Sequence, residues 1–447
     1  MSKPMNILYL HTHDSGRYFQ PYGHAVPTPN LMRLAEQSTL FRNAHCAGPT
    51  CSPSRAALLT GMSPHSCGML GLAHRGFAMA DYSRHLSAYL SGQGYHTALS
   101  GIQHEAPDVS MLGYQSLIGD DDFHMDRIDL DGESLDRGNA AAVADFLRGY
   151  RGEVPLFLSF GMFNTHRNYP DHRGKVNPDY VMPAFVLADT PENRDDMAAH
   201  IYSASIVDDC VGVVLEALEQ SGLAENTLVL FTTDHGIAMP FMKCSLYDTG
   251  TGVALMLRYP GNPTAGRVTD ALVSQVDVFP TLCQLCGLEP PEWLEGVSLV
   301  PVLNHGTAQV RRELFSEVSY HAAYEPMRCV RTQTHKLIRR YDYHLGCVPA
   351  NIDASPAKDM LLENGLLERR TSRELLFDLR LDPLERVNLI DDAGYAAVYD
   401  DLSQRLFRWM RDTDDPLLRY EHRIPRPPEA IVNPLEQSDP QCGIFEE

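Results

Sequence analysis

The sequence has few positive charges for its length, and this deficit narrows the classes of partner that it can bind. It carries 37 Lys and Arg against 58 Asp and Glu, which gives a formal net charge of −21. Proteins that bind nucleic acid neutralise backbone phosphates with clustered Lys and Arg. We therefore expect no nucleic-acid partner, and the same charge disfavours long polyanions unless a local basic pocket outweighs it.

Long hydrophobic runs are also missing. A helix that spans a membrane needs ~20 consecutive apolar residues, and no stretch of this sequence approaches that length. Residues 1–6 lack the apolar segment of a secretory signal peptide. The sequence therefore predicts a cytoplasmic protein with no membrane partner. Ten cysteines are present, but disulfide frameworks belong to small exported domains rather than to a 447-residue chain of this kind.

Short apolar runs alternate with helical patterns in the first 300 or so residues, which indicates an α/β fold. This alternation predicts a mostly parallel central sheet with helices on both faces. Open sheets of this type place functional side chains at the carboxyl ends of their strands. The predicted strands are residues 6–10, 97–100, 155–160 and 227–231, and the predicted helices include residues 28–35, 208–218 and a segment that continues from Cys51.

The pattern of predicted secondary structure changes after about residue 310, where short strand-like segments are separated by turns. Residues 329–332, 335–341 and 374–379 predict a small antiparallel sheet in a C-terminal α+β subdomain. We therefore divide the chain into a catalytic domain at 1–320, a subdomain at 321–420 that completes the substrate pocket, and an extended proline-containing tail at 421–447.

The most informative stretch is Cys51-Ser-Pro-Ser-Arg55, which is followed by Thr60-Gly61. A helix that starts here would place the positive end of its dipole near Cys51. Arg55 would add a planar guanidinium that is always charged. On its own, however, a cysteine followed by proline and arginine is most often a small buried thiol.

Two polar clusters follow predicted strands and supply candidate metal ligands. His13 and Asp14 come after the first strand, and Asp234 and His235 come after Phe231. Carboxylates and imidazoles at the same edge of a sheet can hold one divalent cation. The alternative for each aspartate alone is that it caps the helix that follows the strand.

Together these segments resemble the type I sulfatases, which belong to the alkaline phosphatase-like superfamily. The resemblance implies an α/β/α sandwich and oxidation of Cys51 to formylglycine by a formylglycine-generating enzyme. It also implies hydrolysis of a small sulfated substrate, a sulfate ester or a sulfamate, through a covalent sulfate hemiacetal. The matching segments are residues 6–16, 28–31, 51–61, 234–236, 243–247, 272–282, 374–379 and 382–389.

The resemblance further implies roles for individual residues. The modified Cys51 is the nucleophile, Arg55 stabilises its alkoxide, and His166 protonates the leaving group. The other assignments concern the sulfuryl oxygens, one divalent cation and the rest of the substrate. The sulfuryl oxygens are bound by His104 and Lys243. The cation is bound by His13, Asp14, Asp234, His235 and the modified Cys51. The rest of the substrate is bound by Arg167, His321 and Arg328.

Four further segments are similar to the heparan N-sulfatase (sulfamidase) branch of that family. They are Pro64-His65, residues 68–72, Asn164-Thr-His-Arg167 and residues 324–328. The sequence does not settle whether the protein forms a homo-oligomer.

The chain departs from the family pattern at two positions. His13 stands where the family usually has the first of two aspartates, so manganese or zinc joins calcium, the first expectation, as a candidate cation. The alternative is that His13 forms a hydrogen bond outside the shell of metal ligands. Ile102 stands where the family has a sulfate-binding lysine, and Gln103, Arg167 and Arg328 are the candidates to replace it. These departures keep open a phosphodiesterase or phosphonate monoester hydrolase, and an inactive homologue that only binds.

Overall fold

The computed structural model describes residues 4–119, 131–304, 307–342, 344–420 and 423–435. Its strands form a large central sheet, a two-stranded pair and a smaller C-terminal sheet. The strands are β1 (Asn6–Thr12), β2 (Thr39–Phe41), β3 (Ala44–His45), β4 (His96–Gly101), β5 (Ser116–Ile118), β6 (Leu156–Gly161), β7 (Thr227–Thr233), β8 (Leu255–Arg258), β9 (Arg267–Thr269), β10 (Val273–Ser274), β11 (Glu313–Tyr320), β12 (Tyr324–Thr332), β13 (His335–Arg340) and β14 (Glu374–Asp378).

The central sheet has eight strands in the order β5-β4-β6-β1-β7-β8-β2-β9. Strand β1 lies inside it and pairs in parallel with β6 and with β7. All seven residues of β1 are buried, as expected for a strand covered on both faces. Strand β8 is the exception, because it runs antiparallel to both of its neighbours. The predicted α/β class with a mostly parallel sheet is confirmed.

Helices cover both faces of this sheet. On one face, α1, α5 and α6 pack on Leu8 and Leu10 of β1, and on the other face, α2, α4 and α8 pack on Ile7 and Tyr9. Successive strand residues point to opposite faces, so β1 contributes to both layers of the core. The helices are α1 (Pro29–Glu36), α2 (Cys51–Thr60), α3 (Pro64–Cys67), α4 (Leu86–Gly92), α5 (Gly132–Gly149), α6 (Pro191–Gln220), α7 (Asp248–Thr251), α8 (Val278–Cys286), α9 (Val300–Leu303), α10 (Pro356–Glu363) and α11 (Ala396–Asp412).

The C-terminal sheet is antiparallel, with the order β11-β12-β13-β14, as the strand-like pieces predicted. Helix α11 packs its buried Leu402, Leu406 and Met410 into the core beside this sheet. The sheet begins at Glu313, before the boundary that we placed at residue 321, because Glu313–Tyr320 pairs with β12. In the predicted tail, residues 423–435 contain no helix or strand, and residues 436–447 lie outside the described ranges.

Within the described residues, no helix combines the length and the apolar content needed to cross a bilayer. The nine cysteines in those ranges all carry free thiols.

Candidate active site

The segments that follow β4 and β6 meet the first turn of α2 around a small cavity of about 30 Å³, and the residues that follow β1 and β7 lie beside Cys51. This is the strand edge at which open α/β sheets bind ligands. The cavity is lined by five predicted site residues and by six others. The predicted ones are Cys51, His104, His166, Lys243 and His321, and the others are Leu72, His74, Arg75, Ala322, Ala350 and Asp353.

Cys51 is the first residue of α2 and is 2% exposed. Its Sγ atom lies 3.3 Å from Nε2 of His235 and 3.9 Å from Oδ1 of Asp14. Burial raises the pKa of this thiol well above its usual range, although Lys243 acts in the opposite direction. The thiol is therefore protonated in this environment.

The predicted metal ligands converge on Cys51. Ligand atoms of Asp14, Cys51, Asp234 and His235 all lie within 4.8 Å of one another. Asp14 adopts a positive φ of 34°, and its backbone N–H donates to Oδ1 of Asp234 at 2.9 Å. Two carboxylates and an imidazole in this arrangement fit one divalent cation.

His13 adds a nitrogen donor that the protein leaves unsatisfied. Its ring is completely buried, and neither ring nitrogen has a hydrogen-bond partner in the described part of the chain. Its Nδ1 lies 3.4 Å from Oδ2 of Asp234. Burial, and then the charge of Arg55, lower the pKa of His13 to about 3, so the imidazole is neutral. A neutral, unpartnered imidazole beside two carboxylates fits a metal ligand better than a hydrogen-bonding group.

Lys243 connects one of the predicted metal ligands to the cavity. Its Nζ lies 3.0 Å from Oδ2 of Asp14 and 3.3 Å from Oδ2 of Asp353. Burial acts to raise the pKa of Asp14, but Lys243, His166 and His235 outweigh it, and the net pKa is lowered. Asp14 is therefore a carboxylate, the form that binds a cation.

Arg55 lies behind the metal ligands rather than in the cavity lining. Its Nε and Nη2 atoms donate to Oδ2 of Asp234 at 3.2 and 3.0 Å. Nη2 also donates to the carbonyl of Thr12, and Nη1 lies 2.6 Å from Nδ1 of His11. Because α2 begins at Cys51, Arg55 lies one turn into the same helix and joins it to the ends of β1 and β7.

Three histidines surround the opening of the cavity. Nδ1 of His166 donates to the carbonyl of Arg167, which leaves Nε2 at 4.0 Å from Oδ2 of Asp14. His104 is 3% exposed and its Nε2 lies 2.7 Å from Nδ1 of the exposed His74. His321 is 6% exposed, and its Nδ1 has no hydrogen-bond partner among the described residues. These rings can donate to the oxygens of an anion.

The structure does not bring the two predicted substrate arginines into the cavity. Arg328 is fully buried and pairs with Asp415 and Glu317, at 2.6 and 3.0 Å from Nε. Arg167 forms a two-point ion pair with Asp196, with Nη1 at 2.8 Å from Oδ1. Burying a charge requires such partners, so both guanidiniums are already engaged. Arg328 therefore lies in buried ion pairs outside the cavity lining, and its contact with substrate stays a prediction.

No other cation takes the place of the missing lysine in this segment, because both Ile102 and Gln103 have structural contacts. Ile102 is completely buried and packs against Leu135 and Phe163. Gln103 donates to the carbonyl of Ala106 at 2.9 Å, which closes a local turn. Neither residue faces the cavity.

Sequence reasoning missed His74, Arg75 and Asp353, which all line the cavity. His74 and Arg75 lie on a short 3₁₀ helix, Ala73–Arg75, which follows α3 in the chain. Asp353 lies in an irregular segment between β13 and α10. No strand end or motif marks these positions, and only their distance in space from Cys51 identifies them.

Two family models match the chain. Residues 6–288 match the family described as Sulfatase, and residues 234–347 match the family described as N-sulphoglucosamine sulphohydrolase, C-terminal. The chain is 28% identical to human N-sulphoglucosamine sulphohydrolase, over 99% of this chain and 95% of that protein. It is 27% identical to an ulvan-active sulfatase of Formosa agariphila, over 92% of this chain and 75% of that protein.

Solved structures share the fold. A protein described as a putative sulfatase from Bacteroides thetaiotaomicron superimposes with a TM-score of 0.73 and 21% identity, covering 97% of both chains. Another superimposes with a TM-score of 0.71 and 18% identity, covering 93% of this chain and 99% of the other, and was solved with its substrate D-glucosamine-2-N,6-O-disulfate. At these identities the likeness shows the fold alone.

Proposed function

Since this chain belongs to the sulfatase family, we propose that it hydrolyses a sulfate ester or a sulfamate with modified Cys51 as its nucleophile. One observation carries the proposal. Cys51 begins α2 and lies within reach of Asp14, His235 and the Lys243 cation, in a cavity open to a small substrate. A nucleophile, metal ligands and a cation for an anionic group are the parts that such a hydrolysis needs.

One divalent cation fits the ligands Asp14, Asp234 and His235, with His13 as a further donor and Cys51 beside them. When bound, it supplies a positive charge that stabilises negative charge on nearby oxygens. Calcium follows from the resemblance to the family. The nitrogen donors of His13 and His235 favour manganese or zinc, because calcium prefers an all-oxygen shell.

The modification of Cys51 to formylglycine supplies a hydrated aldehyde, whose oxygen is a better nucleophile than a buried neutral thiol. Lys243 and His104 border the same cavity and orient the oxygens of the transferred group by donating to them. His166 holds a proton at Nδ1 through the carbonyl of Arg167. Its Nε2 is then the atom that can carry a second proton to the leaving group.

We propose a sulfated amino sugar as the first substrate to test. The human relative is named for N-sulphoglucosamine, and one structural neighbour was solved with a glucosamine disulfate. A small cavity lined by histidines and Lys243 suits a single sulfuryl group.

A phosphonate monoester or phosphodiester remains the second candidate substrate class. The observation that favours it is Ile102, which is buried among apolar side chains where the resemblance implies a sulfate-binding lysine. An aryl sulfate and an aryl phosphonate ester, measured on one preparation, separate the two. An inactive homologue that only binds would turn over neither.

Mass spectrometry of the peptide that contains Cys51 tests the nucleophile directly. Oxidation of the thiol to formylglycine lowers the mass by roughly 18 Da. We expect this loss together with release of sulfate from N-sulfoglucosamine. An unmodified, fully active protein would end the proposal.

A further inference from the structure

A carboxylate lines a cavity that is otherwise built for an anion. The side chain of Asp353 is 4% exposed and borders the cavity together with Cys51, His166 and Lys243. Its Oδ2 atom forms an ion pair with Nζ of Lys243 at 3.3 Å, but within the described ranges it accepts no hydrogen bond. A buried polar atom without a hydrogen-bond partner is costly, so its presence at a binding site calls for an explanation.

The segment that carries Asp353 is held rigidly. The buried Lys358 donates from Nζ to the carbonyls of Pro349 and Ile352, at 2.8 and 2.5 Å. Asn351 accepts from the backbone N–H of Ala323 at 2.8 Å and donates to Glu325 at 2.9 Å. Asp353 is therefore placed in the cavity by its surroundings rather than by its contact with substrate.

Neutralising Lys243 does not explain Asp353. Lys243 already has the carboxylate of Asp14 at 3.0 Å, and Asp353 lies farther away, at 3.3 Å. A second carboxylate weakens the cation for which an anionic substrate must compete. A contact between Asp353 and a different part of the substrate would offset this cost.

Chemistry identifies that part. A transferred sulfuryl group presents only acceptor oxygens, which a carboxylate repels. An ionised carboxylate accepts hydrogen bonds and donates none. We propose that Asp353 accepts a hydrogen bond from an N–H or O–H on the leaving group, and so selects sulfated amines and polyols over leaving groups without donors. This inference rests on the proposed function, and it deepens it by assigning specificity to one residue.

Three probes test the assignment with Asp353→Asn. Glucosamine N-sulfate carries N–H and O–H donors on its leaving group, cyclohexylsulfamate carries only N–H, and 4-nitrophenyl sulfate carries neither. Loss of a charge-assisted hydrogen bond should lower kcat/KM for glucosamine N-sulfate about 10–100-fold. The value for 4-nitrophenyl sulfate should change less than about threefold, since it never makes this bond. Cyclohexylsulfamate shows which donor Asp353 binds. If Asp353 accepts from the N–H, kcat/KM for this probe should fall in Asp353→Asn, and if Asp353 accepts from an O–H, it should stay the same.

Two controls accompany the measurement. Asp359→Asn removes an exposed carboxylate from the first turn of α10, close in sequence but outside the cavity, and should change no substrate. Thermal unfolding shows whether Asp353→Asn is folded. If that variant does not fold, Asp353→Glu replaces it in the test, and because it keeps the charge it should retain the preference for glucosamine N-sulfate.

The outcomes separate this inference from the proposed function. Equal losses on glucosamine N-sulfate and 4-nitrophenyl sulfate would mean that Asp353 acts only through Lys243, which overturns the inference while the hydrolase stands. No loss on either substrate overturns it as well. A wild-type protein with no activity on any of the probes overturns the proposed function, and the inference with it.

Discussion

Oδ2 of Asp234 accepts hydrogen bonds from both Nε and Nη2 of Arg55, at 3.2 and 3.0 Å, in an ion pair that is almost completely buried. The other oxygen of Asp234 accepts from the backbone N–H of Asp14. Arg55 therefore orients Asp234, one of the proposed metal ligands, and contacts the proposed site through that carboxylate. The family resemblance implies that Arg55 stabilises the nucleophile directly, and the contacts with Asp234 suggest a second, indirect role that we propose to test.

Arg55→Lys tests that role. A lysine cannot make both contacts with Asp234, and loss of a group that orients metal ligands typically costs 10–100-fold in metal affinity, about the loss we expect here. Competition with a chelator measures it. Arg331→Lys, which disturbs a comparable arginine pair with Asp248 away from the site, serves as the control. Normal metal affinity with lost turnover would show that Arg55 contacts the reacting group itself.

Cys51→Ala should reduce turnover to the background rate, because no other side chain can replace the modified nucleophile. The fold should remain, since the change removes one small atom from the first turn of α2. Sulfate release and circular dichroism measure the two effects. Cys283→Ala, a buried thiol on α8, should retain activity. Substantial activity in Cys51→Ala would contradict the assignment of the nucleophile.

Asp14→Asn and His13→Ala should separate the ligands of the cation. Asp14→Asn removes a charged ligand and should abolish both bound metal and activity. His13→Ala should weaken metal retention and shift the preference from manganese or zinc toward calcium, because it removes a nitrogen donor. Elemental analysis after dialysis measures both. Unchanged metal content and identity in His13→Ala would place His13 outside the ligand shell.

Arg328→Met should destabilise the protein without changing the chemistry. The variant leaves Asp415 and Glu317 buried without their common partner, and breaking a buried ion pair this way costs about 3–5 kcal/mol. Urea unfolding measures the loss. Turnover per folded molecule should match the wild type, and a large fall in kcat at full folding would restore Arg328 to the active site.

The pair of His65 and Glu317 makes stability depend on pH. Nδ1 of His65 lies 2.7 Å from Glu317, with Asp415 and Arg328 close by. Burial acts to lower the pKa of His65, but the two carboxylates outweigh it and the net pKa is raised. The stabilisation is therefore complete below the unfolded pKa of ~6.5 and is lost as pH rises through the folded value.

His65→Gln checks this dependence. Unfolding by urea at several pH values should show that the wild type loses stability relative to the variant as pH rises above ~6.5. Parallel curves for the two proteins across this range would show that His65 is not protonated in the folded state.

The parts of the site that were predictable lie where local sequence and strand ends coincide. His13, Asp14, Asp234 and His235 follow buried strands, so their convergence followed from the sheet. Asp353 and Arg328 depend on partners far along the chain. Asp353 lies against Lys243, 110 positions earlier, and Arg328 pairs with Asp415, 87 positions later. A single sequence carries no local signal for such pairs, and so Asp353 was missed and the ion pair of Arg328 with Asp415 was not predicted.

The position of β1 in the middle of the sheet also determines how long Cys51 stays accessible during synthesis of the chain. Strand β1 completes its pairing only with β6 and β7, and β7 ends at Thr233, about 180 residues after Cys51. At ~5–20 residues per second, a ribosome needs roughly 10–40 s to reach that point after Cys51 is made. During this interval the thiol lacks the scaffold that buries it. An enzyme that modifies Cys51 therefore reaches it most easily while the chain is still being synthesised. In a molecule that folds before it is modified, Cys51 is buried and out of reach of that enzyme.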